Sequence, residues 1–373
     1  MFRHWVVTLV LFIPILISAQ NLTWSNWASY GGNLSLKSDK LQIYPNQPYS
    51  FADRSSSKIV AYADSVTGDV QLYATAKTIY NKDGYPMQNG QFLTSCDDDV
   101  CVVPFPSGER KVYVFHAFVV TTSSLGLQTR CGVLGQITGN NSSRAFYSVV
   151  DLDANGGEGA VTQKNVPLTS IGAADFLLVK HANGKDVWLL INGGNIIILI
   201  DKDGLHEQPR RYFNSFILKD ASPHGDKIVA SVRGTQEFSI KNELALLDFN
   251  NATGEIGQIT FVRLPQQPLD VLFSPDGSKL YTNSNEYRNC QSQYYLYQLT
   301  INNNSISDPW KVCDENIYGM TRAIDNKIYL TGLGSELNDF GNNKIGLHVI
   351  NQPNQPQSAC LFQPRIFHTE LGV

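Results

Sequence analysis

The 373-residue chain carries 29 basic and 33 acidic residues, and only 17 % of its positions are charged. A net charge near −4 with no Lys/Arg stripe argues against a nucleic-acid partner. The abundant asparagine, glycine, serine and tyrosine suit an extracellular β-protein.

The first segment, "MFRHWVVTLVLFIPILISAQ", has a basic start at Arg3, an apolar run from Trp5 to Ile17, and small residues Ser18 and Ala19. It reads as a signal peptide over 1–19, cleaved after Ala19. The apolar run has 13 residues, short of the roughly 20 that a spanning helix needs. No cysteine follows it to carry a lipid. The remainder, 20–373, is expected to be one exported domain, monomeric and without a membrane span.

Internal repetition dominates that domain. "VLFSPDGSKLYT" (Val271 to Thr282) places a Pro-Gly turn directly before an apolar strand. A near copy is "ASPHGDKIVA" from Ala221; looser ones are "FPSGERKVYVF" from Phe105, "HANGKDVWLL" from His181 and "RAIDNKIYLTG" from Arg322. The first apolar residues after each turn are Ile59, Val112, Val187, Ile228, Leu280 and Ile328, at intervals of 53, 75, 41, 52 and 48. Second strands such as "NIIILIDKDG" and "ELALLDFNN" follow, and no 3.6-residue period is sustained in the mature chain. Units of this size with several strands each predict an all-β fold, a β-propeller; the repeats resemble those of WD40-like or YVTN-like propellers. Six units are visible. The N-terminal "NLTWSNWASYGGNLSL" and C-terminal "ACLFQPRIFHTELGV" would together complete a seventh blade and close the ring; without them the count is six. Each repeat turn is expected to start an inner strand of its blade.

The six cysteines are Cys96, Cys101, Cys131, Cys290, Cys313 and Cys360. In an oxidising compartment they allow disulfides. Cys96 with Cys101 would close a small loop, and Cys290 with Cys313 would tie neighbouring strands of one unit. No Cys or His pair has zinc-ligand spacing.

Some stretches are more particular than a generic blade. "FYSVVDLDANGGEGAVTQKNVPL" from Phe146, followed by "LLVKHANGKDVWLLI" from Leu177, together with "KIVAYADSVTGDVQLY", "YPMQNGQFL", "VVPFPSGERKVYVF" and "LDVLFSPDGSKLY", resembles the N-terminal propeller region of secreted Bacteroidota proteins. Those proteins are described as gliding-motility-associated or as carrying a type IX sorting domain. The resemblance covers most of the mature chain and is most specific in the GGxGxVxxKN segment. It implies an extracellular binding or spacer module without assigned catalytic residues. No sorting domain follows before Val373, so free secretion or periplasmic residence stands beside attachment at the cell surface.

Chemical motifs are sparse. The histidines form no HxH or HxxxH pair, and His181 and His224 fall in repeat turns. No G-x-S-x-G elbow, P-loop or G-x-G-x-x-G occurs. In "DLDANGGEG", Asp151, Asp153 and Asn155 alternate and Gly156 permits the sharp turn of a calcium loop. Thr162, however, stands where the bidentate glutamate belongs, and the flanks read as strands, so a glycine-rich hairpin corner is the stronger reading. Calcium is the one metal suggested, and no other cofactor is expected. Aromatic loop residues Tyr85, Tyr287 and Trp310 would stack on a sugar or anchor a protein at a channel mouth, or else pack between blades. The leading expectation is a non-enzymatic propeller binding a protein or glycan at the cell exterior. The alternative is a propeller enzyme of lactonase or glycoside-processing type, with carboxylates gathered from several blades at the channel mouth.

Overall fold

The computed structural model describes residues 22–23, 33–37, 40–44, 59–64, 69–75, 77–91, 93, 100–118, 121–123, 126–128, 144–168, 176–191, 195–208, 216–234, 240–288, 291–302, 305–323, 325–333 and 344–370. Six antiparallel sheets of four or five strands follow one another along the chain, beside two two-stranded hairpins, one of them Asn33–Lys37 with Lys40–Tyr44. Blade 1 orders its strands Leu22–Thr23, Ile59–Ala63, Val70–Thr75, Ile79–Asn81; blade 2, Val100–Pro104, Lys111–Phe118, Arg144–Asp151, Ala160–Pro167. Blade 3 is Phe176–Lys180, Val187–Ile191, Ile196–Asp201, Gly204–Glu207; blade 4, Phe216–Ala221, Lys227–Arg233, Ile240–Asn250, Glu255–Arg263. Blade 5 is Gln267–Phe273, Lys279–Arg288 and Gln291–Asn302, with the short Ser305–Ile306 and Trp310–Cys313 both pairing the third strand. Blade 6 is Asn316–Arg322, Ile328–Leu333, Lys344–Ile350, Phe362–Glu370. The first strands of blades 3 to 6 touch in succession, and that of blade 6 touches Leu22–Thr23 of blade 1. This is a closed β-propeller with six blades.

The six repeat anchors all fall in the second strand of their blades. The repeat turn therefore joins the innermost strand to the second one and starts that second strand. The long interval after Val112 reflects an insertion in blade 2 that includes the hairpin of Thr121–Ser123 and Gly126–Gln128. The seventh blade expected from the two chain ends does not form. Leu22–Thr23 pairs with Ile59–Ala63, and Phe362–Glu370 pairs with Lys344–Ile350, so each end belongs to its own sheet.

The core consists of layers between neighbouring blades, which explains the near-continuous apolar strands. In "VWLLI", Val187, Leu189 and Ile191 face blade 2, while Trp188 and Leu190 face blade 4. In "KIVASV", Ile228 and Ala230 face blade 3 and Val229 faces blade 5. The period of two sends alternate residues into opposite layers, both dry. Each buried aliphatic side chain contributes about 1.5–3 kcal/mol.

The repeat turns lock these layers at one rim. Ser222 Oγ accepts from the Asp226 and Lys227 amides, and Ser274 Oγ accepts from the Lys279 amide and donates to Asp276 Oδ1 at 2.7 Å. Gly225 and Gly277 take φ of 70° and 75°. A Cβ on Gly225 would lie 2.7 Å from the Lys180 carbonyl of blade 3, so glycine is required for both backbone sign and space.

One buried group makes this core sensitive to acid. His116, in the second strand of blade 2, is fully buried with its ring stacked on Phe146 at 5.8 Å. Its Nε2 lies 3.4 Å from Ser148 Oγ and its Nδ1 has no partner. Burial lowers its pKa to about 3, so the folded protein holds it neutral while the unfolded chain protonates near pH 6.5. Its stabilising contribution is complete above pH 6.5 and is lost as pH falls from there toward 3, by up to about 1.4 kcal/mol per pH unit. His116→Leu is expected to flatten the fall in melting temperature between pH 6.5 and 4 relative to wild type. Equal slopes in thermal melts of the two proteins would refute this.

Candidate functional site

The Asp151 corner links the third and fourth strands of blade 2. Asp151 Oδ1 accepts from the Asp153 amide at 3.0 Å, and Asp153 Oδ1 lies 3.3 Å from Arg110 Nε. Asn155, Gly156, Gly157 and Gly159 all have positive φ, of 52°, 69°, 91° and 82°. Asn and Gly are the residues that tolerate this region. Asp151 and Asp153 are thus drawn to the turn itself and to Arg110, and among the described residues no three His, Cys, Asp or Glu side chains are grouped to hold a metal.

The same corner forms a joint with blade 1. The segment after Ile79–Asn81, which contains "YPMQNGQ", lies beside the fourth strand of blade 2 and bridges to it in parallel at Gln88 and Ala160. The Val161 amide donates to the Gln88 carbonyl at 3.0 Å, Asn89 Nδ2 donates to the Val161 carbonyl at 3.0 Å, and Lys164 Nζ donates to the Gln91 carbonyl. Asn81 Nδ2 donates to Glu158 Oε2 at 2.9 Å. A Cβ on Gly159 would stand 2.8 Å from Met87 Cε. Two of the most distinctive sequence stretches therefore meet, as two halves of one inter-blade clasp.

The channel wall is asymmetric. The innermost strands of blades 4, 5 and 6 each carry a one-residue bulge, at Lys219, Leu269 and Tyr318, whereas those of blades 2 and 3 pair without interruption. Lys219 Nζ donates to the Leu269 carbonyl at 2.8 Å, from one bulge to the next. Just beyond the first bulge, Asp220 is buried and accepts from the Phe273 amide of blade 5 at 2.8 Å and from Arg322 Nη2 of blade 6 at 3.0 Å. Arg322 Nη1 also donates to the Ala221 carbonyl. Burial pushes the Asp220 carboxyl up to about 6; Arg322 and the Phe273 and Ala221 amides pull it down, and Asp270 adds a smaller upward push. The pair is charged at neutral pH and ties three blades together at the channel.

Among the described residues, two hollows lie toward the outer parts of the blades, the first within blade 4 alone. One, of about 510 Å³, is acidic, lined by Asp226, Asp248 and Glu255 around Phe249 and Ile256; Lys227 pairs with Asp248 at 2.8 Å beside it. The other, of about 400 Å³, lies between blades 2 and 3 and is lined by Phe105, Lys111, Tyr113, Tyr147, Gln163 and Leu205, among others. Phe105 stacks on Tyr113 at 4.1 Å, and Tyr147 meets Tyr113 edge-on at 5.8 Å. The aromatic floor is fixed by register: Val149 opposes Tyr113, and Tyr147 opposes Phe115. Its rim is polar, with Lys111 held by Glu109 and His206 bonded to Asp201 at 3.0 Å on the adjoining corner of blade 3. A volume of this size lies within the usual range of ligand pockets, about 300–1,000 Å³.

Of the other expected site residues, Tyr85 is exposed at the clasp and Trp310 is half-buried in an outer strand of blade 5. The Tyr287 side chain lies outside the described residues. His181 and His224 are turn residues: His181 Nδ1 accepts from the Asn183 amide, and the His224 carbonyl accepts from Asn251. Cys101 is buried in the first strand of blade 2, and Cys313 and Cys360 lie at the joint of blades 5 and 6. Cys96, Cys131 and Cys290 lie outside the described residues, so both expected bridges have one partner there.

No family model and no curated protein matches the chain. Among solved structures it is similar to Kuenenia stuttgartiensis hydrazine synthase, at 13 % identity and a TM-score of 0.43, covering 93 % of this chain and 81 % of that one. A periplasmic gluconolactonase of Pseudomonas aeruginosa gives 12 % identity and a TM-score of 0.43, covering 84 % of this chain and 79 % of that one. At this distance neither bears on what this chain does.

Removing Arg322 leaves the Asp220 carboxylate buried and unpaired, so Arg322→Ala is expected to cost about 3–5 kcal/mol in urea unfolding. The double variant with Asp220→Asn is expected to recover part of that loss, and strict additivity would rule out the pairing. Gly159→Ala is expected to lose about 1–3 kcal/mol through its φ and its clash with Met87; a loss under half a kcal/mol would mean that the clasp is not tight.

Proposed function

We propose that the protein is an exported binding module that engages a protein or glycan partner outside the cytoplasm. The observation that carries this reading is the wedge between blades 2 and 3. Rigid strand-borne tyrosines with a rim of amide, hydroxyl and ammonium groups present apolar contact and hydrogen-bonding capacity together, the chemistry that both sugars and protein side chains use. The leader over 1–19 supports export, and no helix among the described residues is long and apolar enough to cross a membrane. The resemblance to secreted Bacteroidota proteins, described as gliding-motility-associated, supports an exterior partner. The enzyme alternative has less support. One inner-strand carboxylate, Asp220, is already held by Arg322 and the Phe273 amide.

Binding is tested with purified protein against a panel of defined oligosaccharides (cello-, malto- and chito-hexaose) and against surface proteins of the source cell, with Tyr147→Ala and Gln163→Ala as variants. One ligand class is expected to bind, and Tyr147→Ala to weaken it about tenfold while thermal melts show the fold retained. Binding that is unaffected by both substitutions would remove the wedge from the account.

A further inference from the structure

We propose that Cys313 and Cys360 form a disulfide in the oxidised protein, linking the outer edge of blade 5 to the last corner of blade 6. Cys313 ends the strand Trp310–Cys313, and Cys360 ends the short 3-10 turn Gln357–Cys360. These two segments approach within 8 Å between Cα atoms. Both cysteines belong to one apolar cluster with Tyr281, Ile317, Ile350 and Phe362. A disulfide needs Cα atoms about 4.4–6.8 Å apart; both thiols are free in this structure, so forming the bond requires the joint to draw these two positions into that range.

The partner suggested by sequence proximity, Cys290, lies outside the described residues. Cys313 pairs in register with Leu296. Gln291, the neighbour of Cys290, stands five residues along the same strand, about 17 Å away at the usual strand rise.

The local hydrogen bonding tolerates the bond. The Cys360 thiol interacts with the Tyr281 hydroxyl. That hydroxyl also donates to the Pro353 carbonyl at 2.9 Å and accepts from Gln298 Nε2 at 2.6 Å, so losing the thiol hydrogen strands no buried polar group. Burial pushes the Cys313 thiol up to about 12 and raises Cys360 as well. Such thiols exchange slowly once packed. Two S–H bonds break and one S–S bond forms. The two electrons and two protons pass to an external disulfide such as glutathione disulfide, which leaves as two thiols.

The test does not depend on the binding reading. The full chain is refolded in a glutathione redox buffer, alkylated under denaturing conditions and digested with trypsin without reduction. The expected product joins peptide 312–322, which holds Cys313, to peptide 345–365, which holds Cys360, and it separates on reduction. Both peptides alkylated, or Cys313 joined to any other cysteine, would overturn the proposal. Cys360→Ser is expected to leave Cys313 open to alkylation and to lower the melting temperature by about 5 °C. Reduction of the wild type should reproduce that shift, and a shift absent from both would count against the bond.

Discussion

The Asp220 carboxylate holds together strands that the repeat itself does not connect. Neighbouring blades meet through apolar layers, which are strong but have no direction. A ring also has to fix the angle between blades, or it would not close after six of them. The buried pair of Asp220 and Arg322, with the Phe273 amide as a third point, sets the spacing of blades 4, 5 and 6 at the channel. The bulges just before it turn each inner strand so that these groups can meet. The part of the ring built from blades 2 and 3 has unbulged inner strands, and its outer layer opens into the aromatic wedge. One side of the molecule is thereby pinned at the centre while the other presents a surface.

Much of this architecture was legible in the sequence, because turn chemistry and strand alternation are local. The SPDG and SPHG turns and the six anchors from Ile59 to Ile328 mark the second strand of every blade. The closure was not legible. A strand as short as Leu22–Thr23 carries no pattern of its own, and nothing in "ACLFQPRIFHTELGV" distinguishes an outer strand of blade 6 from part of a seventh blade.

The site was less readable than the fold. Asp151, Asp153 and Asn155 have the alternation of a calcium loop, yet the run of positive φ through Gly159 serves a hairpin that must pass Met87. The motif was recognisable, but its partner at Tyr85 to Gln91 was not, because the two halves come together only through the stacking of blades. Asp220 and Arg322 are 102 residues apart. The one local signal was that each closes an innermost strand just before a repeat turn. The wedge arises where Tyr113 and Tyr147 are set by the pairing of non-consecutive segments, across an insertion that hides their register.

A ring whose two end strands sit in separate sheets has a seam. Leu22–Thr23 and Phe362–Glu370 belong to blades 1 and 6, and the inner strands of those blades lie side by side without a shared hydrogen-bond ladder among the described residues. Tension applied between the two ends would therefore peel blade from blade at that seam, while each sheet kept its own ladder intact. The molecule would yield first as a hinge between blades 1 and 6, with the apolar layers elsewhere still closed, and a tether at either end would feel the compliance of that single joint.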